Sequence, residues 1–384
     1  MRILMLHNRY RATGGEERAV SNLVEMLSRR GHAVSLLERS SAELGRLQAT
    51  RALTRGGVDP EEVSAAVHEF GAEVVHVHNV HPLFGWRALA AAGAAGAAVV
   101  MHLHNLRLFC AIGIGFRAGH PCFECRGRNT LPGVVHRCRG SYGEAVTYAA
   151  GLSLAQPRLL AYADRFITVS QFTAGKLMAS GLPGQRTDVL PNFIPDDERC
   201  SRSNAIHGTY GLASGRLVPE KGFDTVIAAA RASNVPLLIA GDGPEAPRLA
   251  ALADGADVRL LGQVAPERLA ELRAAAAFVV VPSRCDDACP YAATEALATG
   301  VPVIGSTRGG LPELLGRQLT LDAEDVDAWA SQMSRLWRDS AARSALGANA
   351  LQTAGELLSE ERYHAELMRV YAQARVNRRP ATGD

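Results

Sequence analysis

Two cations stand five residues apart in the segment GRLVPEKG: Arg216 and Lys221, with a glycine at each end. Arginine presents a planar fork of donors, and lysine a compact point charge. The segment closes just before the helical pattern FDTVIAAARA, whose first amides and dipole also favour an anion. A diphosphate suits that combination, and a surface loop with two solvated cations is the plain alternative. The second segment with chemistry in it is PSRCDDACPYAATEALATGVPVIG, where Asp287 and Glu295 lie eight residues apart. Glu295 falls just inside a helical pattern that follows an apolar strand. A carboxylate there can accept two hydrogen bonds from the vicinal diol of a ribose, although acids near helix starts are also common caps.

A third group is the cysteines Cys110, Cys122, Cys125 and Cys138, spaced C-x11-C-x2-C-x12-C. A C-x2-C pair with two more cysteines is a reasonable tetrahedral zinc set, structural because four thiolates leave no open position. Free thiols or an oxidised pair are the alternatives. The surrounding stretch, residues 101–140, carries six arginines and one acid, Glu124. A phosphorylated or lipid-diphosphate partner or a membrane surface fits that charge, and so does a solvated loop. Cys285 and Cys289 flank Asp287 as core or lining residues, and Cys200 carries no signal.

These residues need elements to position them. The chain has 384 residues, enough for two domains. Apolar residues make up 47%, so burial is ample, and a formal charge of +2 gives no global pull toward nucleic acid. No apolar run reaches transmembrane length, and the start MRILMLHNRY reads as a first strand rather than a signal peptide. An odd count of seven cysteines without an export signal points to a reducing cytoplasm. RILMLH, AVSLLE, VVHVHN, AVVMHLHN and RFITVS read as strands, with EERAVSNLVEMLSRRG as a helix burying Ala19, Leu23 and Leu27. Residues 192–211 are the best linker. TYGLAS, PLLIAG, VRLLG, FVVVPS and VPVIGS then alternate with helical patterns in a second series. The expected organisation is α/β, two doubly wound Rossmann-like domains whose strand ends meet ligand at a cleft. The first spans 1–198, with the cysteine insert at about 105–140. The second spans 205–358. A helix at about 360–378 is free to pack back onto the first, and the final RRPATGD is expected to fray.

GRLVPEKG, AGDGPE and PSRCDDACPYAATEALATGVPV occur in that order, preceded by VLPNFIP with Asn192, by HLHN, and by Gly14-Gly15. Together they resemble the retaining glycosyltransferases of family four, which share the GT-B fold, and the subset of them with a cysteine-bearing segment after the H-N strand. The resemblance spans nearly the whole chain. It implies transfer of a sugar from a nucleotide-diphosphate donor, UDP- or GDP-linked, to a glycan, a lipid-linked or a small-molecule acceptor held by the N-terminal domain. It places Arg216 and Lys221 on the leaving diphosphate, without a catalytic metal. It places Glu295 on the ribose, Asp287 on a hydroxyl of the sugar, and Cys289 and Pro290 in the loop that meets the sugar. Gly14 and Gly15 allow close approach to diphosphate or acceptor, and His104 lies beside the donor sugar unless it is structural. His102 reads as structural and His78 as a weaker candidate. Asp287 is one methylene shorter than the family's glutamate, and Ala288-Cys289-Pro290 replaces a G-F-G loop, so sugar recognition departs from the pattern. Retention implies a same-face displacement in which the leaving phosphate takes the acceptor proton. The chain is expected in the cytoplasm, in peripheral contact with the inner membrane face, in polysaccharide, glycolipid or secondary-metabolite synthesis. A nucleotide-sugar-binding protein without turnover and an epimerase on the same fold are the alternatives.

Overall fold

The computed structural model describes residues 1–9, 14–41 and 45–378. Part of the terminal RRPATGD, from residue 379 on, lies outside them. The chain divides into two compact units. One holds Met1–Gly115, Cys122–Pro191 and the chain from Tyr363 on; the other holds Phe116–Pro121 and Asn192–Arg362.

The first unit is built on a parallel six-stranded sheet. Its strands are β1 (Arg2–Arg9), β2 (Ala33–Ser40), β3 (Val74–Val77), β4 (Ala98–Leu103), β7 (Arg165–Thr168) and β8 (Thr187–Val189), in the order β2-β1-β3-β4-β7-β8. Two short strands, β5 (Phe116–Arg117) and β6 (His120–Pro121), form an antiparallel hairpin within the cysteine segment. β3, β4 and β7 are buried along their whole length. That is why they read as continuous apolar runs: helices cover both faces of a parallel sheet. Helix Gly15–Arg29 buries Ala19, Val20, Leu23, Met26 and Leu27 as one stripe, and Glu17 accepts the Gly14 N–H at 2.8 Å, satisfying a free amide of its first turn. The last helix, Glu360–Val376, buries Tyr363, Leu367, Val370, Tyr371 and Ala374 at three- and four-residue spacing.

The second unit repeats the plan. Its strands are β9 (Gly211–Ser214), β10 (Leu237–Ala240), β11 (Val258–Gly262), β12 (Phe278–Val281), β13 (Val303–Ser306) and β14 (Thr320–Leu321), in the order β11-β10-β9-β12-β13-β14. Chain order reverses between β9 and β12, so the two loops that leave these strands open a crevice at their carboxyl ends. Helices Phe223–Ser233 and Val326–Arg338 pack Val226, Ile227, Trp329 and Met333 into the core around Leu237, Ile239 and Phe278. The segment 192–211 is irregular, yet it is tied into this unit. Buried Arg343 donates to the carbonyls of Ala205 and Ile206, each at 2.8 Å, and the Ile194 N–H donates to Leu358 at 3.0 Å. No helix among the described residues is long and apolar enough to cross a membrane.

Candidate active site

The crevice between β9 and β12 is built by backbone contacts that only glycine permits. Gly222 has φ +68°, and a Cβ there would lie 2.2 Å from the Pro282 carbonyl oxygen. The close approach lets the Arg284 and Cys285 amides donate to the Glu220 carbonyl at 2.9 and 3.2 Å. On the other side, a Cβ on Gly243 would lie 2.4 Å from the Leu217 carbonyl oxygen, and Leu217 N–H donates to Asp242 at 2.9 Å. GRLVPEKG, AGDGPE and the loop after β12 are therefore one assembly, ending on the first turn of helix Phe223–Ser233.

Within it, the structure brings Lys221 and Asp287 together. Lys221 Nζ donates to Asp287 Oδ2 at 2.5 Å, and Ser283 Oγ donates to the same oxygen at 2.7 Å. Each of the paired side chains is 22% exposed. Burial works against the charge of both, but the pairing outweighs it. Lys221 is held above its ordinary range by Asp287, and the Asp287 carboxyl below its own by Lys221 and the Ser283 hydroxyl. The sequence motifs imply separate contacts, one to phosphate and one to sugar; in the structure the two side chains form one charged unit. Arg216 is exposed and makes no ion pair among the described residues. Its charge still acts on the pair, favouring the Asp287 carboxylate and opposing the Lys221 ammonium.

Glu295 sits at the fifth position of helix Tyr291–Ala298, so it is no first-turn cap. It is buried, and its Oε2 meets the Arg273 guanidinium at 2.5 Å. Pro290 stands at the head of that helix. Burial pushes the Cys289 thiol up to about 12, against a lowering influence of the Asn192 backbone. Burial first, then the Asp287 charge, pushes the Cys285 thiol up as well. Both thiols therefore stay protonated at neutral pH and are poor nucleophiles there. No motif singles out Arg284. It pairs with Asp224 at 2.8 Å and bonds Thr225 Oγ1 at 3.0 Å, fastening the β12 loop to the helix start.

In the first unit, Gly14 precedes helix Gly15–Arg29 and is exposed, as is Gly15. His104 follows β4. Its Nε2 lies 2.9 Å from His78 Nδ1, and its ring stacks on His102 at 4.1 Å. Burial, reinforced by His7, lowers the His104 pKa to about 3, so the ring is neutral at neutral pH. Cys110, Cys122, Cys125 and Cys138 are unbridged and half-buried. Burial pushes the Cys125 thiol up to about 11, and the other three thiols of the set add to the rise. Among the described residues, the trio that brings metal-ligating atoms within 4.8 Å of one another is not in this set; it is His76, His78 and His102. A cavity of about 730 Å³ lined by Arg2, Glu73, Ala98 and Arg375 lies at the amino ends of the strands and holds none of the site residues.

Two doubly wound units with a glycine-shaped crevice at a strand-order reversal define the GT-B architecture. Residues 13–198 match the family described as Glycosyltransferase Family 4, and residues 209–339 match Glycosyl transferases group 1. The chain therefore carries the paired domains of the family-four, group 1 glycosyltransferases. A D-inositol 3-phosphate glycosyltransferase of Nocardioides sp. is 38% identical over 130 residues, 33% of this chain and 28% of that protein. A GDP-mannose-dependent monoacylated alpha-(1-6)-phosphatidylinositol monomannoside mannosyltransferase of Corynebacterium glutamicum is 33% identical over 150 residues, 35% of this chain and 39% of that protein. These matches span well under half the length of either relative. Anabaena Alr3699/HepE in complex with UDP-glucose superposes with a TM-score of 0.67 at 16% identity, covering 97% of this chain and 99% of the other. Sucrose-phosphate synthase of Thermosynechococcus elongatus does so with a TM-score of 0.71 at 20% identity, covering 97% and 98%.

Proposed function

We propose that this chain transfers a sugar from a UDP- or GDP-linked donor to an acceptor hydroxyl with retention of configuration. The observation that carries the reading is the Lys221–Asp287 pair beside Arg216, set at the start of a helix in the crevice of the second unit. As the bond between the sugar's anomeric carbon and the phosphate oxygen breaks, negative charge grows on the diphosphate. Arg216, Lys221 and the helix amides stabilise it, which is why the transfer is read as metal-independent. The acceptor oxygen forms the new bond on the same face, and its proton passes to the departing phosphate. Asp287 holds the lysine charged and in place, and takes a hydroxyl of the sugar. Glu295, oriented by Arg273, takes the ribose hydroxyls, with Cys289 and Pro290 shaping the sugar side. In the first unit Gly14, Gly15 and His104 are assigned to the diphosphate, acceptor and sugar. A relative named for GDP-mannose and a fold relative bound to UDP-glucose support the two donor classes.

The end of the cysteine segment and the start of the helix Tyr142–Tyr162 that follows it support a lipid-linked or anionic acceptor at a membrane face. Leu131, Val135, Tyr142 and Val146 are 64%, 62%, 60% and 51% exposed, interleaved with Arg137 and Arg139. Apolar side chains among arginines suit an anionic lipid surface. Cys110, Cys122, Cys125 and Cys138 remain a candidate structural zinc set, because a bound cation would stabilise the Cys125 thiolate that burial and, to a lesser degree, the three neighbouring thiols disfavour. The transfer reading is tested by incubating the protein with a panel of UDP- and GDP-sugars, with and without lipid-diphosphate and saccharide acceptors. Acceptor-dependent release of nucleoside diphosphate is expected. Donor bound but never consumed would leave a binding protein, and donor isomerised without acceptor an epimerase.

A further inference from the structure

Histidines gather on one face of the first unit's sheet. His76 and His78 alternate along β3 and just past it, as His102 and His104 do along β4, and alternation by two keeps each pair on one face. The parallel register sets Leu6 beside Val77 and Val77 beside Met101. One residue further, it sets His7, His78 and His102 in a row across three strands. The rings of His76, His78 and His102 lie with centroids 4.6 to 5.4 Å apart. All three residues are at most 2% exposed.

This packing leaves nitrogens without partners. His76 Nε2, His78 Nε2 and both nitrogens of His102 are buried and find no hydrogen-bond partner among the described residues. Buried polar atoms are almost always satisfied, and a cluster that is not calls for an ion or a water. The opposite nitrogens of two rings are engaged: His76 Nδ1 meets Tyr371 Oη at 2.6 Å, and His78 Nδ1 meets His104 Nε2 at 2.9 Å. Such outer contacts fix tautomer and ring plane in metal-binding histidines and leave the inner nitrogen as the ligand. A cavity of about 20 Å³ lined by His78, His102 and His104 adjoins the trio, with Glu16 as its one carboxylate. That is room for about one water.

We propose that His76, His78 and His102 form a three-imidazole site for a borderline divalent transition ion, zinc foremost, with a water in the adjoining cavity as fourth ligand. Imidazoles without carboxylates select zinc, nickel, cobalt or copper over magnesium and calcium. The ligand atoms lie within 4.8 Å of one another on rings stacked 11° to 32° from parallel, so the rings must turn about their side-chain bonds to aim their in-plane lone pairs at one ion and reach the roughly 3.3 Å separation of a tetrahedral set with bonds of about 2.05 Å. Occupancy would also fix the tautomer of His104 through His78.

The test loads chelator-treated protein with cobalt(II), then zinc, and reads visible absorption and bound metal. Cobalt on imidazoles gives ligand-field bands without the intense thiolate charge-transfer band that the cysteine set would add. The wild type should bind with the imidazole signature, and zinc should displace the cobalt. His102→Gln and His76→Gln should each lose that signature. Tyr371→Phe should keep it, with affinity about tenfold weaker. A wild type that shows no imidazole signature, or His102→Gln protein that binds as the wild type does, would overturn the site. A neutral stack joined by water alone gives the first of these results. The wild-type spectrum decides even where a variant fails to fold. No sugar donor is present, so the outcome stands apart from that of the transfer assay.

Discussion

Removing one end of the Lys221–Asp287 pair has a calculable consequence. At 2.5 Å two unit charges in a medium of effective dielectric 20 attract by about 7 kcal/mol before desolvation is charged against them. Breaking a buried pair by deleting one partner costs about 3–5 kcal/mol. Both side chains are 22% exposed, and Ser283 still serves the carboxylate, so about 2–3 kcal/mol is expected for Lys221→Met. Asp287→Asn should cost less, because the freed ammonium can swing toward solvent. The double variant leaves neither charge stranded, so its cost should fall short of the sum by about 1–2 kcal/mol. Urea unfolding of the four proteins at pH 7.5 measures all three quantities. Turnover adds a second readout: Lys221→Met should slow transfer at least ~100-fold, the scale of losing one leaving-group stabiliser. Unfolding energies that add to within about 0.5 kcal/mol would refute the coupling.

Acid should unfold the protein through its buried histidines. Burial holds His76 and His81 near pKa 3, against about 6.5 in an unfolded chain. Between those values the unfolded state binds the proton and the folded state does not, so stability is full above pH 6.5 and is lost as pH falls toward 3. At pH 5 each of the two removes about 2 kcal/mol. A urea midpoint that stays flat from pH 7.5 to 4.5 would contradict the burial. Gly222→Ala should cost more than about 2 kcal/mol, since a Cβ would strike the Pro282 carbonyl at 2.2 Å with φ at +68°. Wild-type thermal stability in that variant would mean the two loops are not packed as described.

Much of this was legible in the sequence for physical reasons. Parallel strands buried on both faces leave unbroken apolar runs such as RFIT and FVVV. The crevice loops announce themselves through glycines that only a tight backbone approach requires, at Gly222 and Gly243. Partnerships across long sequence separations were not legible. Arg273 on Glu295, Arg284 on Asp224 and Arg343 on the 205–206 carbonyls join residues that no local periodicity links. Helix Val326–Arg338 lies between VPVIGS and the terminal helix and carries no motif, although Trp329, Met333 and Leu336 form a helical stripe. The histidines were visible as HVHN and HLHN, but only the register across β1, β3 and β4 aligns them. The prolines and charges of 192–211 read as a linker, whereas its anchor is Arg343, a buried arginine more than a hundred residues away.

Calorimetry with UDP and GDP probes the diphosphate site proposed for the second unit. The wild type should bind at least one of them, more tightly than the matching monophosphate, and Arg216→Ala with Lys221→Met should weaken that binding at least about tenfold while leaving the fold intact. Equal affinity for diphosphate and nucleoside, or unchanged binding in the double variant, would contradict the account.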